Sequence, residues 1–376
     1  MNKIIFLNYL GLDREELKNV LSLYPNQDWQ FYKDYAKFRP GGIGAYRRFG
    51  KSTFPFNNEI VDILNCRMPV FTNGYNFSFE EITDIRVKQI WEARNNKKLL
   101  LCWSGGIDST VMLVSILKNI NPVDYKEIEV ACTRISVYEN PNFFYKYIKP
   151  NFSIRDSTSF KITQEYLDTY YIVDGELADQ LYGGINTQFF QVNGETLLKN
   201  WRQDPDELIS YLSTQVNKEF AIKYYENVKE NINSTSLPLE TYNDFFWWMI
   251  FNDLWASTII RSSLLYSQEK NISRSIIENN PVHWFNTNEY QLWAMSNGLG
   301  VKYGTNIGER KLASKKYIND FDHDEYYFKF KLKDDSISRQ SDSFCFCLTD
   351  DYTKLYIDKD LDKIKELFPT HINQGN

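Results

Sequence analysis

Leu99-Leu-Leu-Cys-Trp103 is an unbroken apolar run that ends in Ser104-Gly105-Gly106-Ile107-Asp108-Ser109. A second apolar run follows at once, with Val111, Met112, Leu113, Val114, Ile116 and Leu117. This order predicts a buried strand, a tight glycine turn and a buried helix, the unit of a parallel α/β sheet. Two adjacent glycines at such a turn let backbone N–H groups approach an anion closely. The helix start adds its positive dipole end and unpaired donors. Ser104, Ser109 and Thr110 carry hydroxyls that suit phosphate oxygens. Asp108 would repel a bare phosphate, so its presence points to a Mg²⁺ ion shared with the phosphates.

A second motif lies at Tyr171-Ile-Val-Asp-Gly175-Glu176-Leu177-Ala178-Asp179-Gln180-Leu181-Tyr182-Gly183-Gly184, after a plausible strand end at Tyr171 to Val173. The interval between the motifs is long enough for a βαβ crossover. The Ser-Gly-Gly-x-Asp-Ser pattern resembles the pyrophosphate loop of the ATP pyrophosphatases. The second stretch is similar to the Gly-Glu-Gly-(Ser/Ala)-Asp-Glu-x-x-Gly-Gly loop of asparagine synthetases and their relatives, the β-lactam synthetases and lasso-peptide cyclases. This resemblance covers roughly residues 78–340 and rests on the two motifs. It implies a parallel-sheet, adenine nucleotide α-hydrolase-like domain with helical additions.

Along the chain, residues 1–76 read as a small N-terminal α+β module, with a strand at Ile4 to Leu7 and helical spacing at Leu17, Val20, Leu21 and Tyr24. Arg39-Pro40-Gly41-Gly42-Ile43-Gly44 is a turn-rich break. The second domain is expected over 77–376. Ser78-Phe-Glu-Glu81 is a capping box for a helix to about Arg94. Ile128 to Thr133 reads as the second strand, and a third leads into Asp174. Residues 195–300 read as mostly helical, with the aromatic block Phe245-Phe246-Trp247-Trp248 in the core.

The net charge of −6 argues against a nucleic-acid partner. Five scattered cysteines point to a reduced, cytoplasmic protein, and Cys345 and Cys347 read as ordinary buried residues. Phe245 to Leu265 is the most apolar long stretch, but Asn252, Asp253 and Arg261 interrupt it, so no membrane span is expected. Ala45-Tyr-Arg-Arg-Phe-Gly50-Lys51-Ser52 falls short of a phosphate-binding P-loop, lacking its first glycine and a preceding strand. The basic cluster Arg39, Arg47, Arg48 and Lys51 reads as a solvated face ahead of a contact for a phosphate-bearing or acidic partner.

The resemblance implies a chemistry. A substrate carboxylate attacks the α-phosphorus of ATP and displaces pyrophosphate. Ammonia or an amine then attacks the acyl-adenylate, giving an amide and AMP. Ser104, Gly105, Gly106, Ser109 and Thr110 would bind pyrophosphate, and Asp108 and Asp179 would hold Mg²⁺. Glu176 would position the substrates and accept a proton from the amine, while Gly175 would lie beside the nucleotide. Cys132, at a strand end, reads equally as an adenine-pocket residue or as simple strand burial. The family carries a lysine in a late basic and aromatic segment. Here Tyr326-Tyr-Phe-Lys329-Phe-Lys331-Leu-Lys333 fits, with Lys331 the first choice and Lys333 the second, on one face if the segment is a strand.

Three departures qualify the resemblance. The chain opens Met1-Asn2 rather than with the cysteine of glutamine-using members, so no glutaminase is expected. The amine would be free ammonia, a separate glutaminase's product, or part of the substrate. Gln180 replaces the second acid of the loop. Asn279-Asn-Pro-Val-His283-Trp284-Phe285-Asn286 stands where the family has Glu-x-Arg-x-Pro-Phe-Leu-Asp, so the carboxylate need not be aspartate. The expectation is an AMP-forming carboxylate–amine ligase acting on a small-molecule or peptide carboxylate. The alternatives are a cyclase (lactam- or lasso-type) or modifying ligase acting on a peptide, nucleotide or other small molecule, and a non-catalytic nucleotide-binding scaffold; a tRNA-modifying relative is disfavoured by the net charge of −6.

Overall fold

In the computed structural model the described residues are 4–8, 47–49, 66–71, 74–157, 162–183, 192, 194–214, 216–266, 273, 276–277, 281–298, 311–331, 346–349 and 354–356. The helical spacing at Leu17 to Tyr24, the turn at 39–44, Lys51, Gly184, Asn279, Lys333 and Cys345 lie outside them.

The protein is α/β, built on a five-stranded, all-parallel sheet. Its strands are β2 (Lys98–Cys102), β3 (Ile128–Cys132), β4 (Ser153–Asp156), β5 (Tyr170–Asp174) and β6 (Val282–His283). They lie in the order β4-β3-β2-β5-β6. β3 is buried along its whole length and β2 at all but its first residue, as parallel strands covered on both faces must be. From β2 the chain steps outward through β3 to β4. It then returns to the other side of β2 for β5 and β6. Strand order therefore reverses between β2 and β5, and in open parallel sheets ligands bind beyond the carboxyl ends at such a point. Cys102 pairs with Asp174 at that point, so both motif loops leave the sheet side by side.

Helix α1 (Phe79–Ala93) carries the expected capping box: the Ser78 hydroxyl accepts from Glu81 N–H, and the Glu81 carboxylate accepts from Ser78 N–H. Helix α2 (Ile107–Asn119) follows the first motif and buries Ser109 through Ile116 continuously. Beyond β5 come α5 (Ala178–Tyr182), α8 (Tyr242–Asp253) and α9 (Trp255–Tyr266). The Phe245–Trp248 block is core, all four side chains being at most 3% exposed. Trp247 also donates its indole N–H to Leu181 O at 2.9 Å, tying α8 to the second motif.

The chain's first strand, β1 (Ile4–Asn8), is antiparallel to β7 (Phe346–Thr349), and β8 (Lys354–Tyr356) completes a separate three-stranded sheet. Two arginines of the presumed surface cluster are in fact internal. Arg47 pairs with Asp253 at 3.1 Å, both side chains 1% exposed. Arg48 donates to Cys66 O at 2.6 Å and Phe251 O at 3.0 Å, and its guanidinium lies 4.2 Å from the Trp255 ring centroid. A planar donor fork over an aromatic face explains why a charge is tolerated there. Burial pushes Arg48 down to about 9, against the nearby Cys66, which still leaves it charged at neutral pH. Among the described residues no helix is long and apolar enough to cross a membrane.

Candidate functional site

The first motif forms a tight loop between β2 and α2. Gly105 has φ +77°, and a Cβ there would meet Ser136 O at 2.3 Å, so only glycine fits. Inside the turn the Ser104 and Ser109 hydroxyl oxygens lie 3.1 Å apart, and Ser109 Oγ accepts from Ser104 N–H at 3.1 Å. Gly106 N–H donates to Ser104 Oγ at 3.3 Å. Both serines therefore shape the turn as well as offering hydroxyls to it. Thr110 differs: it is fully buried and accepts from the Trp103 indole N–H at 3.2 Å. Its hydroxyl serves the core beneath the loop, which the sequence pattern did not anticipate.

The second motif meets the first backbone to backbone. A Cβ on Gly175 would lie 2.8 Å from Ser109 N, so glycine permits this approach. Leu177, the residue after Glu176, adopts φ +78° and ψ −5°. The loop thus keeps a left-handed residue without the glycine that adopts it most cheaply.

A lysine bridges the two loops. Lys311 Nζ contacts Asp108 Oδ2 and lies 2.6 Å from Asp179 Oδ1. Lys311 is the N-cap of α11 (Leu312–Asp322) and is itself left-handed, with φ +59°. The helix is anchored to the second motif, because Tyr182 Oη lies 2.8 Å from Ser314 Oγ and accepts from Ser314 N–H at 3.0 Å. Burial alone would lower the Lys311 ammonium; the two carboxylates outweigh it and raise it. Burial raises Asp108, with Lys311 opposing.

The favoured late lysine is elsewhere. Residues Glu325–Phe330 form a helix, α12, not a strand, so Lys329 and Lys331 do not alternate along a strand face. Lys329 pairs with Glu325 of its own helix at 3.1 Å. Lys331 pairs with Glu139 at 3.1 Å, behind the first loop, close enough to favour ionised Asp108 electrostatically. Tyr327 of α12 donates its hydroxyl to Gly105 O at 3.3 Å.

Glu176 lies on the α9 side of the second motif, 3.6 Å from Arg261 Nη2. Its side chain is 39% exposed, yet the surrounding protein removes enough water to raise its carboxyl, against the pull of Arg261. Beneath it, Asp174 Oδ1 lies 2.8 Å from His283 Nδ1, both side chains at most 4% exposed. Sequence reasoning singled out neither Asp174 nor His283 for chemistry. On this side three buried polar atoms have no hydrogen-bond partner: Gln180 Oε1, Arg261 Nε and His283 Nε2. Asn286 accepts from the Trp255 indole N–H at 3.0 Å and so holds α9 against the segment after β6. Cys132 ends β3, is buried, and has its thiol pushed up to about 11 by burial and then Asp156.

Among the described residues no group of three or more His, Cys, Asp or Glu side chains is arranged to hold a metal ion. Asp108 and Asp179 converge on the Lys311 ammonium, and Asp108 Oδ1 is buried without a partner. Mg²⁺, which binds through one or two carboxylates and completes its shell with phosphate oxygens and water, would take the place of the ammonium between them. Comparison of the chain with protein-family models, curated proteins and solved structures gives no match.

Proposed function

We propose that this chain is an ATP-dependent, AMP-forming carboxylate–amine ligase of the asparagine-synthetase type, on a PP-loop nucleotide-binding fold. One observation carries the reading. The two motif loops abut at the switch point of a parallel sheet, and Lys311 draws Asp108 and Asp179 of the two loops to one cation position. That is the position where polyphosphate charge needs compensation.

In this reading the backbone of residues 104–106, with Ser104 and Ser109, cradles the departing pyrophosphate. Asp108 and Asp179 would hold Mg²⁺, which when bound neutralises phosphate charge. Lys311 takes over as the lysine facing pyrophosphate, and Lys331 supports the loop from behind through Glu139. Carboxylate and amine enter on the Glu176 side, where Arg261 and the unfilled polar atoms supply hydrogen-bonding capacity. Glu176, raised by its surroundings, is suited to accept the amine proton.

The test is ATP–pyrophosphate exchange with Mg²⁺ across a panel of carboxylates, beginning with aspartate. Exchange stimulated by one acid, and reduced at least ~100-fold in Asp108→Ala, is the expected result for a group that organises transition-state charge. Exchange that Asp108→Ala leaves intact would overturn the assignment. Tight ATP binding with no exchange or amide formation for any small acid or peptide would favour a scaffold.

A further inference from the structure

Glu176 is held by a structure that reaches beyond the second motif. Asp174, the last residue of β5, is buried and takes three donors on its carboxylate. Oδ1 accepts from the backbone N–H of Glu176 at 3.1 Å and lies 2.8 Å from His283 Nδ1. Oδ2 accepts from the Ser262 hydroxyl at 3.1 Å. An ionised carboxylate only accepts, so His283 carries its proton on Nδ1.

The ring itself rests on a fixed support. His283 pairs with Asp174 in the sheet, and Trp284 N–H donates to Asp174 O at 2.8 Å. Arg86 donates to His283 O at 3.0 Å and to Trp284 O at 2.8 Å. On the opposite side, the consecutive residues Arg261 and Ser262 of α9 reach Glu176 and Asp174 respectively. Gly175 is seated on the α2 backbone and Leu177 is left-handed. A strained residue persists where its surroundings over-determine it.

We infer that Asp174 and His283 form a clamp that sets the position of Glu176, with His283 acting as a positioning residue through Nδ1. The clamp gives the Glu176 turn a rigid connection to β6 and α9. Without the imidazole donor, the buried carboxylate loses one of three partners and its hold on the Glu176 N–H loosens. What Glu176 then does rests on the ligase reading; the clamp does not.

The experiment measures backbone amide hydrogen exchange at Glu176 in the full chain. Wild type is compared with His283→Ala, His283→Asn and His283→Gln, each checked for folding by thermal melting. Asparagine presents an N–H near the Nδ1 position, whereas glutamine reaches toward Nε2. Expected are roughly tenfold faster exchange at Glu176 in His283→Ala and His283→Gln, and exchange within about twofold of wild type in His283→Asn. The amides of Ser109 and Thr110 should stay unchanged. Unaltered exchange at Glu176 in His283→Ala, or equal loosening in all three variants, would overturn the clamp. Should His283→Ala not fold, the contrast between asparagine and glutamine decides. An intact clamp in a chain without pyrophosphate exchange would count against the ligase reading alone.

Discussion

Leu177 shows at one residue how the second motif closes without a glycine at its left-handed position. Its φ of +78° costs on the order of 1 kcal/mol for a side chain with a Cβ. Its side chain is 1% exposed in the common core, and that burial offsets the strain. Glycine is ordinarily the worse replacement inside structure, because it adds backbone freedom to the unfolded chain. Here the order should invert. Leu177→Gly and Leu177→Ala should both destabilise, by about 2–3 kcal/mol for the alanine variant. The glycine variant should be the more stable of the two by about 1 kcal/mol in urea denaturation. Alanine as the better replacement would refute the strain argument. The same scale explains what the sequence disclosed. Asp108, Glu176 and Asp179 were legible because each lies in a short stretch whose spacing imposes a loop. Lys311 was not: it stands 203 residues from Asp108, and only the fold joins them.

At the level of elements, β2, β3 and β5 were legible as apolar runs, since buried parallel strands need them. β4 and β6 were not. Ser153–Asp156 is an edge strand, mostly exposed, and β6 has two residues, too few for a period. The segment Tyr326 to Phe330 misled for another reason: its charges and aromatics fit alternation, yet Asp324 caps a helix by accepting from Tyr327 N–H at 2.9 Å. Four strands are also joined by one buried carboxylate. Glu129 of β3 accepts from Arg155 of β4 at 2.8 Å and Tyr170 of β5 at 3.0 Å, with Lys98 of β2 at 3.5 Å. Burial pushes the Glu129 carboxyl up, but Arg155 and Tyr170 prevail and the net shift is downward. A lowered native value means stability that is full above the unfolded glutamate pKa. It is lost as pH falls through that value toward the native one. Glu129→Gln should therefore cost about 1–2 kcal/mol at pH 7, with the difference from wild type shrinking toward pH 3. Thermal melts across that range check it, and a constant difference would remove Glu129 from the acid response.

For the whole molecule, the decisive link is between residues 47–48 and the helices that back the site. Arg47 and Asp253 are both sealed from solvent, and Tyr224 donates its hydroxyl to Asp253 at 3.1 Å. Arg48 N–H donates to Asn252 O at 3.2 Å, and Phe49 N–H to Asn252 Oδ1 at 2.8 Å. The segment is therefore built into the end of α8, and α8 reaches the second motif through Trp247 and Leu181. Removing one member of a buried ion pair leaves the other uncompensated, at a cost of about 3–5 kcal/mol. Arg47→Ala should lower unfolding stability by that amount, and Asp253→Ala by a similar one. Replacing both with apolar residues, Arg47→Met with Asp253→Leu, should cost much less than the sum, because no orphan charge remains. If the double variant is as unstable as the summed single variants, the pair is not a closed unit. If Arg47→Ala is neutral, residues 47–49 do not belong to the folded body. In the expected case, truncation of the first residues past Arg48 would also loosen the second motif, since one continuous packing path joins them.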